Sequence, residues 1–158
     1  MSLSIVYWDL GSIVTLMSTE LNSLASSATA GAISSVGGSS GLFNNVYAGG
    51  GLGGFTQAKF ELYIPAPAGT LTAGTNAQIW FLSQIDGSNF EDGGAAVIPA
   101  RQPDLIIPVR AVSGAQRIEV IGTLPPGTWY VLLSQTTGQT WASTLNTLKV
   151  MPLTNQVG

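Results

Sequence analysis

From Phe55 onward short apolar runs alternate with clusters of turn residues, a spacing that leaves room for little but β-structure. Pro65-Ala-Pro-Ala-Gly69, Ala73-Gly-Thr-Asn76, Asp86-Gly-Ser-Asn89, Asp92-Gly-Gly94, Ser113-Gly114, Pro125-Pro-Gly127 and Thr136-Thr-Gly138 punctuate it. Proline presets φ, glycine admits positive φ, and Asn or Asp bonds its own backbone, so each cluster ends an extended segment. Within the runs the period is two. Phe60, Leu62 and Ile64 share a face, as do Ile118 and Val120, with Arg117, Glu119 and Ile121 opposite. Ala77–Ile85 holds Ile79-Trp-Phe-Leu82, too continuous for a one-sided strand, which predicts a central strand buried on both faces. Further strands are expected in 105–112, with Pro108 at an edge or bulge, in 128–134, and in 145–153 with Leu148 and Val150 on one face. No internal repeat is visible. The pattern predicts a mainly β fold, a jelly-roll-like β-sandwich over residues 55–158.

Residues 1–54 read differently. Ser4–Leu16 is apolar and predicts a short strand or extended arm, broken at Asp9–Gly11. Leu21, Leu24, Ala25, Ala28 and Ala32 then recur at helical spacing. Ser18 or Thr19 can supply an N-cap oxygen, Glu20 sits in the first turn, and Gly31 and Gly37-Gly38 weaken and stop the pattern. A helix of about four turns is the expectation. Gly37–Gly54 is glycine-rich with Leu42, Phe43, Val46 and Tyr47 between the glycines. It reads as a flexible loop, or as an arm that orders when Phe43 and Tyr47 dock on a neighbouring subunit. The chain thus divides into a 1–54 assembly segment and a 55–158 sandwich.

Composition narrows the function. Five Lys and Arg and eight Asp and Glu are all the charges in 158 residues, 8 % where about a quarter is usual. Mean hydropathy is nevertheless +0.34. Such a surface suits a domain largely covered by identical neighbours. Net charge −3 with scattered cations argues against nucleic acid, and no apolar run reaches membrane-span length. Asp9 is the first charge, so no basic signal-peptide region is read. Without histidine or cysteine, Ser-His-Asp catalysis, thiol catalysis and Zn–thiolate sites are excluded. No catalytic residue, cofactor or metal is expected, and the chain reads as an assembly protein rather than an enzyme.

Four groups of residues are candidate sites. Asp86, Glu91 and Asp92 offer oxygens to Ca²⁺, but Phe90 breaks the EF-hand spacing, and a hydrophilic loop is the favoured reading. Glu61 and Glu119 are the carboxylates a glycoside hydrolase would need, yet ion pairs, including Arg117 with Glu61, fit them better. Of the tryptophans, Trp80 and Trp129 read as core, while Trp8 and Trp141 are candidates for exposed, interfacial or sugar-stacking positions. Gly49-Gly-Gly-Leu-Gly-Gly54 lacks the Lys-Ser/Thr of a phosphate loop. The assembly candidates are Tyr7, Trp8, Leu21, Leu24, Phe43, Tyr47 and Trp141.

Ala58-Lys-Phe-Glu-Leu-Tyr-Ile64, Ile79–Gly93, Ile106-Ile-Pro-Val-Arg-Ala-Val112, Leu124-Pro-Pro-Gly127, Asn146-Thr-Leu-Lys149, Asn155-Gln-Val157 and Thr19–Leu24 carry a resemblance. Together they resemble a family of small tailed-bacteriophage virion structural proteins, decoration- or cement-like, in which Gly37–Gly54 would be a longer insert than usual. The resemblance implies a phage particle component with no catalytic residue to transfer. The leading expectation is a capsid decoration protein, a homotrimer on the outer head shell contacting the major capsid protein or another virion protein. A tail, collar or fibre component is the alternative, and a lectin-like domain binding host-surface glycan through Trp141 or nearby loops is the third reading.

Overall fold

The computed structural model describes residues 6–10, 13–35, 55–84, 86, 88–93, 97–125 and 128–157. Among these residues nine strands follow one another: β1 (Val6–Leu10), β2 (Val14–Met17), β3 (Thr29–Ser35), β4 (Gln57–Ile64), β5 (Asn76–Ser83), β6 (Leu105–Pro108), β7 (Gln116–Thr123), β8 (Thr128–Gln135) and β9 (Thr147–Val157). They form two antiparallel sheets. One has the order β1-β9-β4-β7, with β2 also on β9; the other has the order β3-β8-β5-β6. The pairs β2–β9, β3–β8, β4–β7 and β5–β6 are successive rungs of one antiparallel ribbon. Rolling that ribbon sets β9 beside β4 and β8 beside β5. The result is a β-sandwich.

Period-two patterning decides which side chains face inward. Phe60, Leu62 and Ile64 from β4 meet Ala77, Ile79 and Phe81 from β5 and Trp129, Val131 and Leu133 from β8 in one core. The ring of Phe81 joins the sheets, 5.6 Å from Phe60 and 4.7 Å edge-on from Trp129. Strand β5 is an inner strand buried on both faces, as its continuous apolar run predicts. Its other face packs Trp80 and Leu82 with Leu132, Phe90 and Tyr130 in a smaller cluster. Pro108 ends β6, an edge strand where its missing N–H costs no rung.

The N-terminal third departs from expectation. In place of four helical turns there is one 3₁₀ turn, Thr19–Leu21, and then β3. Ser23 and Ser27 adopt positive φ, 56° and 65°, which a continuing helix forbids. Glu20 does sit in the first turn of that short element, where its carboxylate accepts a bond from the Ser18 N–H at 2.9 Å. Gly31, read as a helix breaker, lies under Tyr130, whose hydroxyl and ring fill the space a Cβ would need. Gly31 thus serves a close cross-strand approach rather than a helix stop. The 1–54 segment is therefore no arm outside the sandwich in its described part: β1 and β2 pair with β9 and β3 with β8. The glycine-rich stretch 37–54, with Phe43 and Tyr47, lies outside the described residues.

Leu21, Leu24 and Trp141 were expected at an assembly surface, and the structure buries all three, Trp141 to 2 % exposure. The cause is a buried amide. Gln135, at the end of β8, donates through Nε2 to the Leu24 and Gln139 carbonyls at 3.0 and 2.9 Å. Its Oε1 accepts from the Thr137 N–H and hydroxyl, at 2.7 and 2.5 Å. Trp141 donates its indole N–H to that hydroxyl at 3.2 Å and its backbone N–H to the Leu24 carbonyl at 3.0 Å. Nearby, Asn146 donates to Asn22 and to the Ala142 carbonyl. These bonds tie 22–28 to 135–146 and draw Leu21, Leu24 and Trp141 into the core. Replacing Gln135 by Leu keeps the volume but orphans several buried groups, so Gln135→Leu is expected to cost about 3 kcal/mol. Urea unfolding of the two proteins checks this; a loss under about 0.5 kcal/mol would show the amide to be dispensable.

Candidate interaction surface

Strands β4, β7 and β9 turn their inward residues to the core and leave the alternate set on an outer face. Register fixes how that set meets. Glu61 lies opposite Glu119 on one side and Lys149 on the other; Tyr63 lies opposite Arg117; Lys59 lies opposite Ile121 and Met151. Two carboxylates facing each other across a rung would repel. Diagonal cations offset this: Lys59 Nζ sits 2.5 Å from Glu119 and Arg117 Nη1 2.5 Å from Glu61. Arg117 also stacks over the Tyr63 ring, its guanidinium carbon 4.4 Å from the centroid. The Arg117–Glu61 pair weighed from the sequence is thus present. Lys149 is the surplus cation, so among the described side chains the face carries three cations against two carboxylates. Ile13 and Ile121, 66 % and 64 % exposed, add apolar area beside them.

This arrangement bears on the carboxylate pair considered for glycoside hydrolysis. Both acids lie on an open sheet face and each is matched to a cation, an arrangement suited to contact rather than to flanking a sugar in a cleft. The face forms a shallow depression lined by Ile13, Lys59, Glu61, Arg117, Glu119 and Lys149, among others. No sequence signal pointed to Lys149 as part of this group; its place follows from the pairing of β9 with β4, which lies far away in the chain.

The other concentration of charge is the excursion from β5 to β6, residues 84–104. Its described residues lie back beside β5, whose pairing with β6 stops at Ile79. Beyond that point side chains continue the work of a strand. The Phe81 N–H donates to the Asp104 carboxylate at 2.7 Å, and Arg101 Nη2 donates to the Phe81 carbonyl at 3.0 Å. Arg101 also holds Glu91 and Asp104, both at 2.7 Å, and its carbonyl accepts the Trp80 indole N–H at 3.1 Å. Hydrogen bonding to Glu91, then to Asp104, raises the Arg101 pKa further above its ordinary value. Sequence reasoning missed Arg101 and Asp104, because Arg101-Gln-Pro-Asp104 has no period and gains meaning only against the edge of β5.

The same excursion holds the acidic loop weighed for Ca²⁺. Glu91 is committed to Arg101, and Asp86 accepts the Ser88 and Asn89 N–H groups and the Asn89 side-chain amide at 2.7 to 2.8 Å. Among the described residues no three acidic side chains gather as a metal site. Bonds from Asn89, then Ser88, lower the Asp86 pKa from 3.8 to about 2. Tyr7 and Trp8 lie in β1, opposite Gln156 and Asn155, with side chains outside the described residues. Trp141, buried with its indole N–H occupied, has no face to offer a sugar.

Two outcomes are expected. Arg101→Met strips the Phe81 carbonyl and two carboxylates of their partner and should cost about 2 kcal/mol, read by chemical denaturation; an unchanged midpoint would show the clasp to be ornamental. A depressed carboxylate pKa contributes stability that is present above the unfolded value and lost as pH falls through the folded one. The Asp86 turn should therefore hold above about pH 4 and loosen toward pH 2. Carboxyl NMR titration of Asp86 checks it, and a midpoint near 3.8 would remove the turn's bonds from solution.

Compared with protein families, with curated proteins and with solved structures, the chain matches none.

Proposed function

We propose that the chain is a non-enzymatic structural protein of a tailed-phage virion, a capsid decoration (cement) protein that oligomerises on the outer head shell. The observation that carries this reading is the outer face of the five-strand sheet. On a chain with so few charges it concentrates mixed charge beside exposed Ile13 and Ile121, the mixture of a contact surface. Two features lend support. The two antiparallel sheets make a β-sandwich, which we read as jelly-roll-like, an architecture used in viral capsid domains. The sequence also resembles small tailed-phage virion proteins over most of its length. In this reading the homotrimer sits on the particle with the major capsid protein, or another virion protein, as its second partner.

Imaging particles made with and without the protein tests the location. Loss of density from the head shell, with heads that break at lower temperature, is the expected result. Unchanged heads with density lost only from the tail would refute the capsid assignment and favour a tail, collar or fibre place.

A further inference from the structure

Asp9, Glu20 and Arg110 aside, the charges of this chain fall on two surfaces. The outer face of the five-strand sheet holds Lys59, Arg117 and Lys149 against Glu61 and Glu119. The 84–104 excursion holds Asp86, Glu91, Asp92 and Asp104 against Arg101 alone. The sheet face thus carries a surplus positive charge on a protein whose net charge is −3, and the excursion carries the largest negative surplus. Four of the six large apolar side chains exposed among the described residues lie on these two surfaces, with Ile106 and Leu145 elsewhere. Ile13 and Ile121 flank the basic face; Val97 and Ile98, 56 % and 49 % exposed, lie on the excursion. Gly93 brings the acidic and apolar parts of the excursion together, since a Cβ there would meet Pro99 as well as Leu82. Asp92 and Ile98 are the chain neighbours of Gly93 and Pro99.

We infer that the outer face of the five-strand sheet receives the 84–104 excursion of a second copy of this chain. Each surface offers what the other lacks: a positive surplus with exposed isoleucine against a negative surplus with exposed Val97 and Ile98. In a trimer this contact repeats head-to-tail and closes a ring when its rotation permits. This inference rests on the proposed self-association and names the contact that produces it. It does not depend on where in a particle the assembly sits.

The test is charge reversal, followed by sedimentation of the full chain at several concentrations. Lys149→Glu puts a carboxylate on the receiving face, and Asp92→Lys puts a cation on the exposed excursion. Each alone is expected to weaken association about tenfold or more, and the double variant to restore it. Raising salt from about 50 to about 500 mM should weaken the wild-type assembly, since contacts on open surfaces are screened. Thermal melts identify a variant that merely unfolds; Asp92→Lys, on an exposed loop, keeps the test standing if Lys149→Glu does. A trimer indifferent to both reversals and to salt would overturn this contact while leaving self-association intact. A monomer at every concentration and salt would overturn the contact and self-association together. The head or tail location is decided separately by particle imaging.

Discussion

One buried amide holds an end of this sandwich together. Gln135 uses both its donor and its acceptor on groups that no strand partner reaches: the Leu24 and Gln139 carbonyls and the Thr137 N–H and hydroxyl. A buried polar group costs free energy unless paired, so this side chain and its partners specify one arrangement. The segment before β3 must pass Gln135 with the Leu24 carbonyl turned inward, and the segment after β8 must double back through Thr137. Trp141, Leu21 and Leu24 then have one place to go, inside the core.

The excursion after β5 solves a related problem by other means. A short β6 leaves half of the edge of β5 without a partner strand. An aspartate accepts the Phe81 N–H and an arginine donates to its carbonyl, and the two bind each other. Because the clasp is built of side chains rather than backbone, the excursion is free of strand geometry, and it crosses the Trp80–Leu82 cluster on its way to β6.

Much of the sandwich was legible in the sequence because its signal is local. Turn clusters bounded the strands, and the alternation of Phe60, Leu62 and Ile64, or of Arg117, Glu119 and Ile121, settled which face each residue takes. The ion pair of Arg117 with Glu61 was visible for the same reason. What was not legible depends on partners remote in the chain. The spacing of Leu21, Leu24, Ala25, Ala28 and Ala32 is helical, and only Tyr130 lying over Gly31 shows why the segment is a strand. Trp141 follows a turn and looked exposed; its burial depends on Thr137 and on Leu24. The candidate surface was half visible: its β4 and β7 residues were grouped, but Lys149 joined them through a pairing that periodicity does not encode.

The rolled ribbon also sets an order in time. Its innermost rung, β5 with β6, joins neighbours in the chain, and each rung outward spans more sequence until Val14 meets Val150. Loop closure costs more entropy as the span grows, so zipping outward from the β5–β6 turn lets each rung shorten the closure of the next. Strand β9 follows all of its partners in the chain, so during synthesis β1, β2 and β4 are made before the strand that pairs with all three. Until then their unpaired edges are open to wrong partners, and a nascent chain of this kind is at its most vulnerable just before its last strand emerges.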